Sequence, residues 1–249
     1  MTWRRRKVVV TGGAGFLGSH LCEALVASGA DVTVLDDLSY GSSGNLDVIK
    51  KDVQLLHCKL GDGWDGLEKP PEGEVLFHLA AIADPRKCKE DFDAAFATNV
   101  LGVKTVLEAG KRFERVIVLS SAAVYGDPEY LPIDEKHPLK GKDPYAVTKI
   151  LGEGLCRHFS ENAGVRLTAV RNFNAFGPRQ STAYLIPTLV TQALAEKKIE
   201  MWSAEPVRDF LFVSDTVGAL LAIAASDATV GATINIGSGR GVWAGDLAG

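Results

Sequence analysis

Tyr145 and Lys149 are the side chains whose types and spacing could most directly do chemistry. Tyr145-Ala-Val-Thr-Lys149 opens a predicted helix that runs to about Phe159. Residues four apart share a helical face, so the phenol and the ammonium project together. A free tyrosine, with a pKa around 10, is a poor base at neutral pH, and a nearby cation stabilises its phenolate. Such a pair also occurs by chance on helix surfaces. What precedes it gives it weight: Ser120-Ser121-Ala-Ala-Val-Tyr125-Gly ends an apolar predicted strand, Arg115–Ser120, and leads through a Pro-rich loop to the helix.

The elements that must position this pair begin at the other end of the chain. Val8 to Val10 form a β-branched run that reads as a strand buried on both faces. It breaks at Gly12-Gly13, and a helical pattern of Phe16, Leu17, Leu21, Leu25 and Val26 follows. Strand, glycine turn and helix in this order bring backbone N–H groups and a helix N-terminus together, which holds a pyrophosphate without side-chain charge. Gly12, Gly15 and Gly18 would serve the tight turn, the phosphate approach and close helix packing. Their spacing is G-x-x-G-x-x-G, a weak signal alone. The next strand, Asp31–Leu35, ends in Asp36, about twenty residues beyond the turn, where a ribose-binding carboxylate is expected. Such a carboxylate repels a 2′-phosphate, so the site is read as one for NAD rather than NADP. Lowering the Tyr145 pKa by about 3 pH units needs roughly 4 kcal/mol, plausible for Lys149 and an oxidised nicotinamide together in a partly desolvated cleft.

Strands and helices keep alternating beyond that point. A turn-rich loop begins at Asp37, itself a further cofactor candidate. Val53–Cys58 is a third predicted strand, leading to Leu60-Gly61-Asp62, of which Leu60 and Asp62 are candidate adenine contacts. Val75–Leu79 is a fourth, and small residues at its end, Ala80 and Ala81, let a cofactor lie beside Leu79 against the backbone. His78 is read as packed in that strand. Phe92, Phe96, Val100, Val103 and Leu107 predict one long amphipathic helix near 93–112, with Asn99 on it a further cofactor candidate.

Composition excludes several classes. A chain of 249 residues suffices for one large α/β domain, with or without a small lobe, and a net charge of −4 gives no support for nucleic-acid or membrane-surface binding. Arg4-Arg5-Arg6-Lys7 lacks an apolar segment before its strand and is not read as a signal peptide. Cys22, Cys58, Cys88 and Cys156 are widely separated and read as reduced thiols of a cytoplasmic protein. The five histidines show no metal-ligand spacing with cysteines or carboxylates, so no metal is expected.

The motifs TGGAGFLGSH, Asp36, HLAA, SSAAVYG, Tyr145-x-x-x-Lys149 and RNFNAFGPRQ together resemble the extended short-chain dehydrogenase/reductase family, above all its nucleotide-sugar epimerases and dehydratases. The likeness covers nearly the whole chain. It implies that Tyr145 is the catalytic base, Lys149 its electrostatic partner and a ribose ligand, and Ser121 the hydroxyl that positions the reacting oxygen. Dehydratases and decarboxylases of this group carry an acidic residue just after the serine or threonine; Ala122 and Ala123 stand there here. By resemblance to UDP-galactose 4-epimerases, the expected reaction is oxidation at the sugar C4 followed by reduction from the other face. Another nucleotide-sugar oxidoreductase, or a non-catalytic NAD-binding regulator, are the alternatives.

The resemblance also distributes the substrate contacts. Asn174 and Arg208 match residues that hold the substrate diphosphate, while Arg179 is either a second phosphate neighbour or a solvated loop charge. Trp202 falls where relatives place an aromatic against the nucleobase, with an ordinary core tryptophan as the competing reading. Arg86, after the fourth strand, would face the hexose. Residue 172, often aromatic in relatives, is Asn here, a departure from the family pattern at a cofactor contact. The expected fold is a doubly wound, mostly parallel Rossmann sheet. Residues 1–171 would form the NAD-binding domain, and 172–249 the last strands and a small substrate lobe. Helices near 93–112 and 145–159 are those relatives pack in a homodimer. Residues 242–248 resemble the first turns of a further family helix, and relatives continue past Gly249. A complete NAD site beside an open substrate lobe is therefore expected, with residues after about 241 poorly packed or engaged with another subunit.

Overall fold

The computed structural model describes residues 2–195, 198–201 and 203–248. Its centre is a seven-stranded sheet, every neighbouring pair parallel. The chain enters through β1 (Lys7–Thr11), α1 (Phe16–Ala27), β2 (Asp31–Asp36) and β3 (Val53–His57). A hairpin the sequence did not announce, β4 (Lys59–Gly61) and β5 (Gly63–Asp65), precedes β6 (Val75–His78). Then come α2 (Pro85–Glu90), α3 (Phe92–Phe96), a π-helical turn over Ala97–Leu101, α4 (Gly102–Glu108), β7 (Arg115–Ser121) and α5 (Pro144–Ala163). The last part contains β8 (Leu167–Asn172), β9 (Asn174–Phe176), α6 (Leu185–Leu194), β10 (Val207–Phe212), α7 (Val213–Ala225), β11 (Thr233–Ile236) and β12 (Gly241–Trp243).

Strand order across the sheet is β11-β8-β7-β6-β1-β2-β3. The order reverses between β1 and β6, where Thr11 lies beside His78, and this switch point is where such folds bind ligands. Both faces are covered, which is why the strands are nearly continuous apolar runs. Leu21, Leu25, Val217 and Leu220 pack α1 and α7 on one face. Val103, Val106, Leu107 and Cys156 pack α4 and α5 on the other. Helix α7 has an apolar surface broad enough to hide its periodicity, so the sequence pattern does not single it out.

One expectation is refined and one corrected. The long helix near 93–112 runs without a break from Phe92 to Glu108, with a π-helical turn inserted at Ala97–Leu101 and a 3₁₀ turn following at Gly110–Arg112. Residues 241–248 do not start a loosely packed helix. Gly241–Trp243 pairs antiparallel with Val207–Asp209 as β12, and the following turn is anchored by the Ala244 and Gly245 N–H groups on the Pro206 and Ala204 carbonyls at 2.9 and 3.0 Å. Ala244 is buried. The edge of β10 offers a row of unpaired backbone groups, and a β-branched Val242 beside Trp243 suits a strand better than a helix. β11 returns to the main sheet beside β8, so the chain after 172 supplies both a sheet strand and the separate β12-β10-β9 sheet.

Candidate functional site

The glycine turn lies directly against the end of β6. Gly12 has φ 69°, and a Cβ there would stand 2.6 Å from the Ala80 nitrogen. A Cβ on Gly18 would stand 2.1 Å from the Gly12 carbonyl oxygen. These two positions exclude any side chain, one through conformation and contact, the other through contact alone. Helix α1 has no side-chain cap and no acidic residue in its first turn, which leaves the N–H groups of Phe16, Leu17 and Gly18 without a capping side chain, while the Gly15 N–H donates to the Gly12 carbonyl at 3.1 Å. The Thr11 hydroxyl meets His78 Nδ1 at 2.8 Å and accepts from the Ala80 N–H at 3.3 Å, bracing the two strand ends together. His78 is buried and its pKa is pushed down to about 3 by burial, with the Lys149 charge adding to it. It is neutral and structural.

Asp36 is buried at the end of β2. One carboxylate oxygen accepts from the Ala14 N–H at 2.9 Å, the other from the Leu38 N–H at 2.8 Å. Burial raises its pKa, against the lowering by these two N–H donors. The carboxylate is thus tied to the glycine turn itself and keeps free lone pairs for ribose hydroxyls. The pieces of a dinucleotide cradle fit together: a turn no Cβ could enter, an uncapped helix end and a fixed carboxylate. In a titration at moderate salt, NAD is expected to bind at least about tenfold more tightly than NADP, because a phosphate beside Asp36 is repelled. Equal affinities would place the ribose pocket elsewhere.

Other sequence candidates have other partners. Asp37 accepts from the Ser39 N–H at 2.9 Å in the loop after β2. Leu60 is buried against the helical layer, and the exposed Asp62 pairs with Lys104 at 3.1 Å. Leu79, Ala80 and Ala81 are half-buried at the end of β6, beside the glycine turn. Asn99, in the π-helical turn, is fully engaged: its amide donates to the Ile82 carbonyl and Thr148 Oγ1, both at 3.0 Å, and its Oδ1 accepts from the Ile82 N–H at 2.8 Å. It clamps the chain beyond β6 to α5, next to Lys149.

Helix α5 starts at Pro144, with the Asp143 side chain accepting from the Ala146 N–H as its cap. Its first turn carries Tyr145 toward the end of β7, where the nearby Ser121 side chain favours the ionised phenol. Ser121 Oγ also accepts from the Ala123 N–H at 3.2 Å, which fixes its rotamer. Lys149 is 7% exposed; its Nζ donates to the Leu119 carbonyl at 2.9 Å and lies 5.7 Å from the Tyr145 ring centre. Burial brings the lysine pKa down to about 8. Burial also pushes Tyr145 above its usual value, and the Ser121 side chain only partly opposes this. The side chains alone therefore leave the phenol protonated at neutral pH. Asn172, paired with Ser121 in the β7–β8 register, has a buried Oδ1 with no partner, an acceptor left open beside the site. Ser121→Ala is expected to lower kcat about tenfold or more with KM little changed, since the hydroxyl orients an oxygen whose charge changes during reaction. A pure rise in KM would contradict that role.

The substrate candidates are spread around the open end of the sheet. Asn174 and Arg208 are exposed; Asn174 pairs with Phe210 in the β9–β10 register, so both lie on one face of the small sheet. Asn174 donates to the Asp209 carbonyl at 3.1 Å. Arg179 has partners the sequence did not suggest: it donates to Ser19 Oγ at 2.9 Å and pairs with Glu23, docking its loop on α1. Arg86 is held by the Asp84 carboxylate at 2.9 and 3.1 Å, which neutralises much of its charge. Trp202 lies outside the described residues. Among those residues no group of His, Cys, Asp and Glu could hold a metal, and no helix is long and apolar enough to cross a membrane.

Comparison with known proteins agrees with this geometry. Residues 8–237 match the NAD dependent epimerase/dehydratase family. The UDP-N-acetyl-alpha-D-glucosaminuronate decarboxylase of Bacillus cytotoxicus is 34% identical over 245 residues, 94% of this chain and 75% of its own. Among solved structures, a UDP-N-acetylglucosamine 4-epimerase from Methanobrevibacter ruminantium, in complex with UDP-N-acetylmuramic acid, superposes with TM-score 0.88 at 28% identity, covering 98% of this chain and 80% of that one. The Thermus thermophilus UDP-glucose 4-epimerase, solved as a complex with NAD, gives TM-score 0.85 at 29% identity over 97% and 81%. These likenesses span epimerases and a decarboxylase, so they define the enzyme group and its cofactor without defining one reaction. With a sheet reversing at the glycine turn, a carboxylate at the end of β2 and Tyr145, Lys149 and Ser121 gathered at the end of β7, the chain belongs to the NAD dependent epimerase/dehydratase family.

Proposed function

We propose that the protein is a nucleotide-sugar 4-epimerase acting on a UDP-hexose. The observation that carries this reading is the pair Ala122 and Ala123, which form a short 3₁₀ turn directly after Ser121. No carboxylate follows the serine to remove a second proton or to assist elimination. Among the described residues acting on Tyr145, the acid is Asp143, whose side chain already caps α5. A keto sugar formed in such a site has one productive route, return of the hydride.

When bound, NAD supplies the hydride acceptor at the sugar C4 and, in its oxidised form, a positive charge near the phenol. Gly12, Gly15 and the start of α1 would hold its pyrophosphate, Asp36 a ribose, and Lys149 the other ribose. Tyr145 takes the proton from the 4-hydroxyl and returns it after the sugar has turned over. Ser121 holds the same oxygen in line. Asn174 and Arg208 are proposed to hold the diphosphate, a guanidinium being suited to bidentate phosphate contact. For Arg86 and Arg179, the ion pairs with Asp84 and Glu23 weigh against a substrate role. The exposed Val147 and Leu151 of α5, with Phe92 of α3, suit pairing with a second copy. The four cysteines, buried as free thiols, suit the reducing cytoplasm.

The test is to incubate the protein with UDP- and TDP-hexoses without added cofactor and to resolve the products. Interconversion of C4 epimers at unchanged mass is expected. Loss of water or carbon dioxide from the sugar would assign another reaction of the family.

A further inference from the structure

Two turns of α5 beyond Tyr145, on the same side of the helix, lies a buried ion pair that the chemistry above does not use. Tyr145, Lys149 and Glu153 are spaced i, i+4 and i+8, so they form one row along the helix. The Glu153 carboxylate meets Arg171 of β8 through three contacts, Nε at 3.0 and 3.1 Å and Nη2 at 2.7 Å. Their side chains are only 8% and 7% exposed. Ser120 Oγ, adjacent to Ser121, donates to the same carboxylate at 2.5 Å. On its far side, Arg171 donates to the Tyr125 hydroxyl at 2.9 Å and the Glu135 carbonyl at 3.1 Å, and the Tyr125 hydroxyl donates to Asn235 Oδ1 of β11 at 2.6 Å.

We propose that the Glu153–Arg171 pair is a positioning device for the reacting groups: it locks α5 in register with β7 and β8, and the Glu153 carboxylate keeps the Lys149 ammonium charged beside Tyr145. The inference rests on Tyr145 and Lys149 being the reacting pair. A buried ion pair is weak as a source of stability, because desolvation of two charges offsets most of their attraction. Here the carboxylate takes a donor from the residue beside Ser121 and stands one helical turn from Lys149, within range for two side chains on one helix face. Lys149 needs this support. It is buried, and its hydrogen bond goes to the neutral Leu119 carbonyl. The titratable groups facing it are Glu153 and Cys156 of α5, Cys88 of α2, Tyr145 itself and the neutral His78 of β6. Cys156 and then Glu153 favour the charged lysine against the effect of burial, and Glu153 is the carboxylate among them.

The test reads Lys149 directly. In NAD-free protein carrying ¹³C-labelled lysine, the Cε resonance absent from Lys149→Met reports its titration. Glu153→Gln is expected to move that titration down by about one pH unit, since it removes the negative charge and leaves Arg171 unmatched. The double variant Glu153→Gln/Arg171→Met buries no charge at these positions, and exchanges of that kind are often neutral for folding. It should shift the titration in the same direction by less. The alkaline limb of kcat should move with the resonance in each variant. A Lys149 titration unchanged in both variants, or in the double variant where the single one fails to fold, overturns the proposal. So does a double variant that fails to fold, because the pair would then serve folding itself. A resonance that moves while the kcat limb stays fixed would leave the network intact and count against the role assigned to Lys149 in the reaction.

Discussion

Tyr145→Phe is expected to lower turnover by two to four orders of magnitude while leaving NAD bound as in the parent protein. Removing the hydroxyl proposed to take the substrate proton deletes the general base, whose contribution is typically about 10²–10⁴-fold. Most of the proposed dinucleotide contacts, on the glycine turn, on Asp36 and on Lys149, do not involve the phenol hydroxyl. The fold should tolerate the change. Ser121 retains its bond from the Ala123 N–H, and losing the phenol's interaction with Ser121 costs at most about 1 kcal/mol. Because burial holds the phenol protonated in the chain alone, the parent enzyme should gain activity as pH rises through neutrality, until Lys149 begins to lose its proton near pH 8. Turnover by the phenylalanine variant within a factor of ten of the parent would remove Tyr145 from the mechanism.

Lys149→Met should have opposite effects on stability and activity. The unfolded chain holds this proton up to about pH 10.5 and the folded protein only to about 8. Between those values the unfolded state binds more protons, so stability rises with pH across that window. Below it, the folded protein carries the full cost of a buried ammonium, on the order of 3 kcal/mol from the difference in pKa. Methionine fills a similar volume without charge, although it leaves the Leu119 carbonyl unpaired at a cost of about 1 kcal/mol. Urea unfolding of the NAD-free variant at pH 7 should therefore show a gain of roughly 1–2 kcal/mol, vanishing above about pH 10.5. Turnover should fall about a hundredfold or more, and NAD affinity should drop. A variant less stable than the parent at pH 7 would mean that the lysine is better solvated or better paired than its burial implies.

Local features of the sequence determined a good deal. The apolar run into Gly12-Gly13, the helix period from Phe16 and the acid ending the second strand specify β1, α1 and β2 because each obeys a short-range rule. Those rules are glycine where no Cβ fits, a 3.6-residue period for a half-buried helix, and unbroken apolar runs for strands covered on both faces. Tyr145 and Lys149 were legible for the same reason, since four residues on a helix always bring two side chains together. The alternation of elements was enough to anticipate the Rossmann sheet.

What remained depended on contacts between residues far apart in the chain. The pairing of β12 with β10 was decided by an open strand edge some thirty residues away, and short-range pattern could not show it. The partners of Arg179 and Arg86, and the clamp that Asn99 forms between Ile82 and α5, are long-range or rotamer-dependent, so the charges and amides alone left their roles open. Glu153 and Arg171 look in sequence like an ordinary helix acid and an arginine ending a strand. Only the packing of α5 across β7 and β8 places them together, out of water, two turns from the phenol, where the low effective dielectric lets one carboxylate act on Lys149.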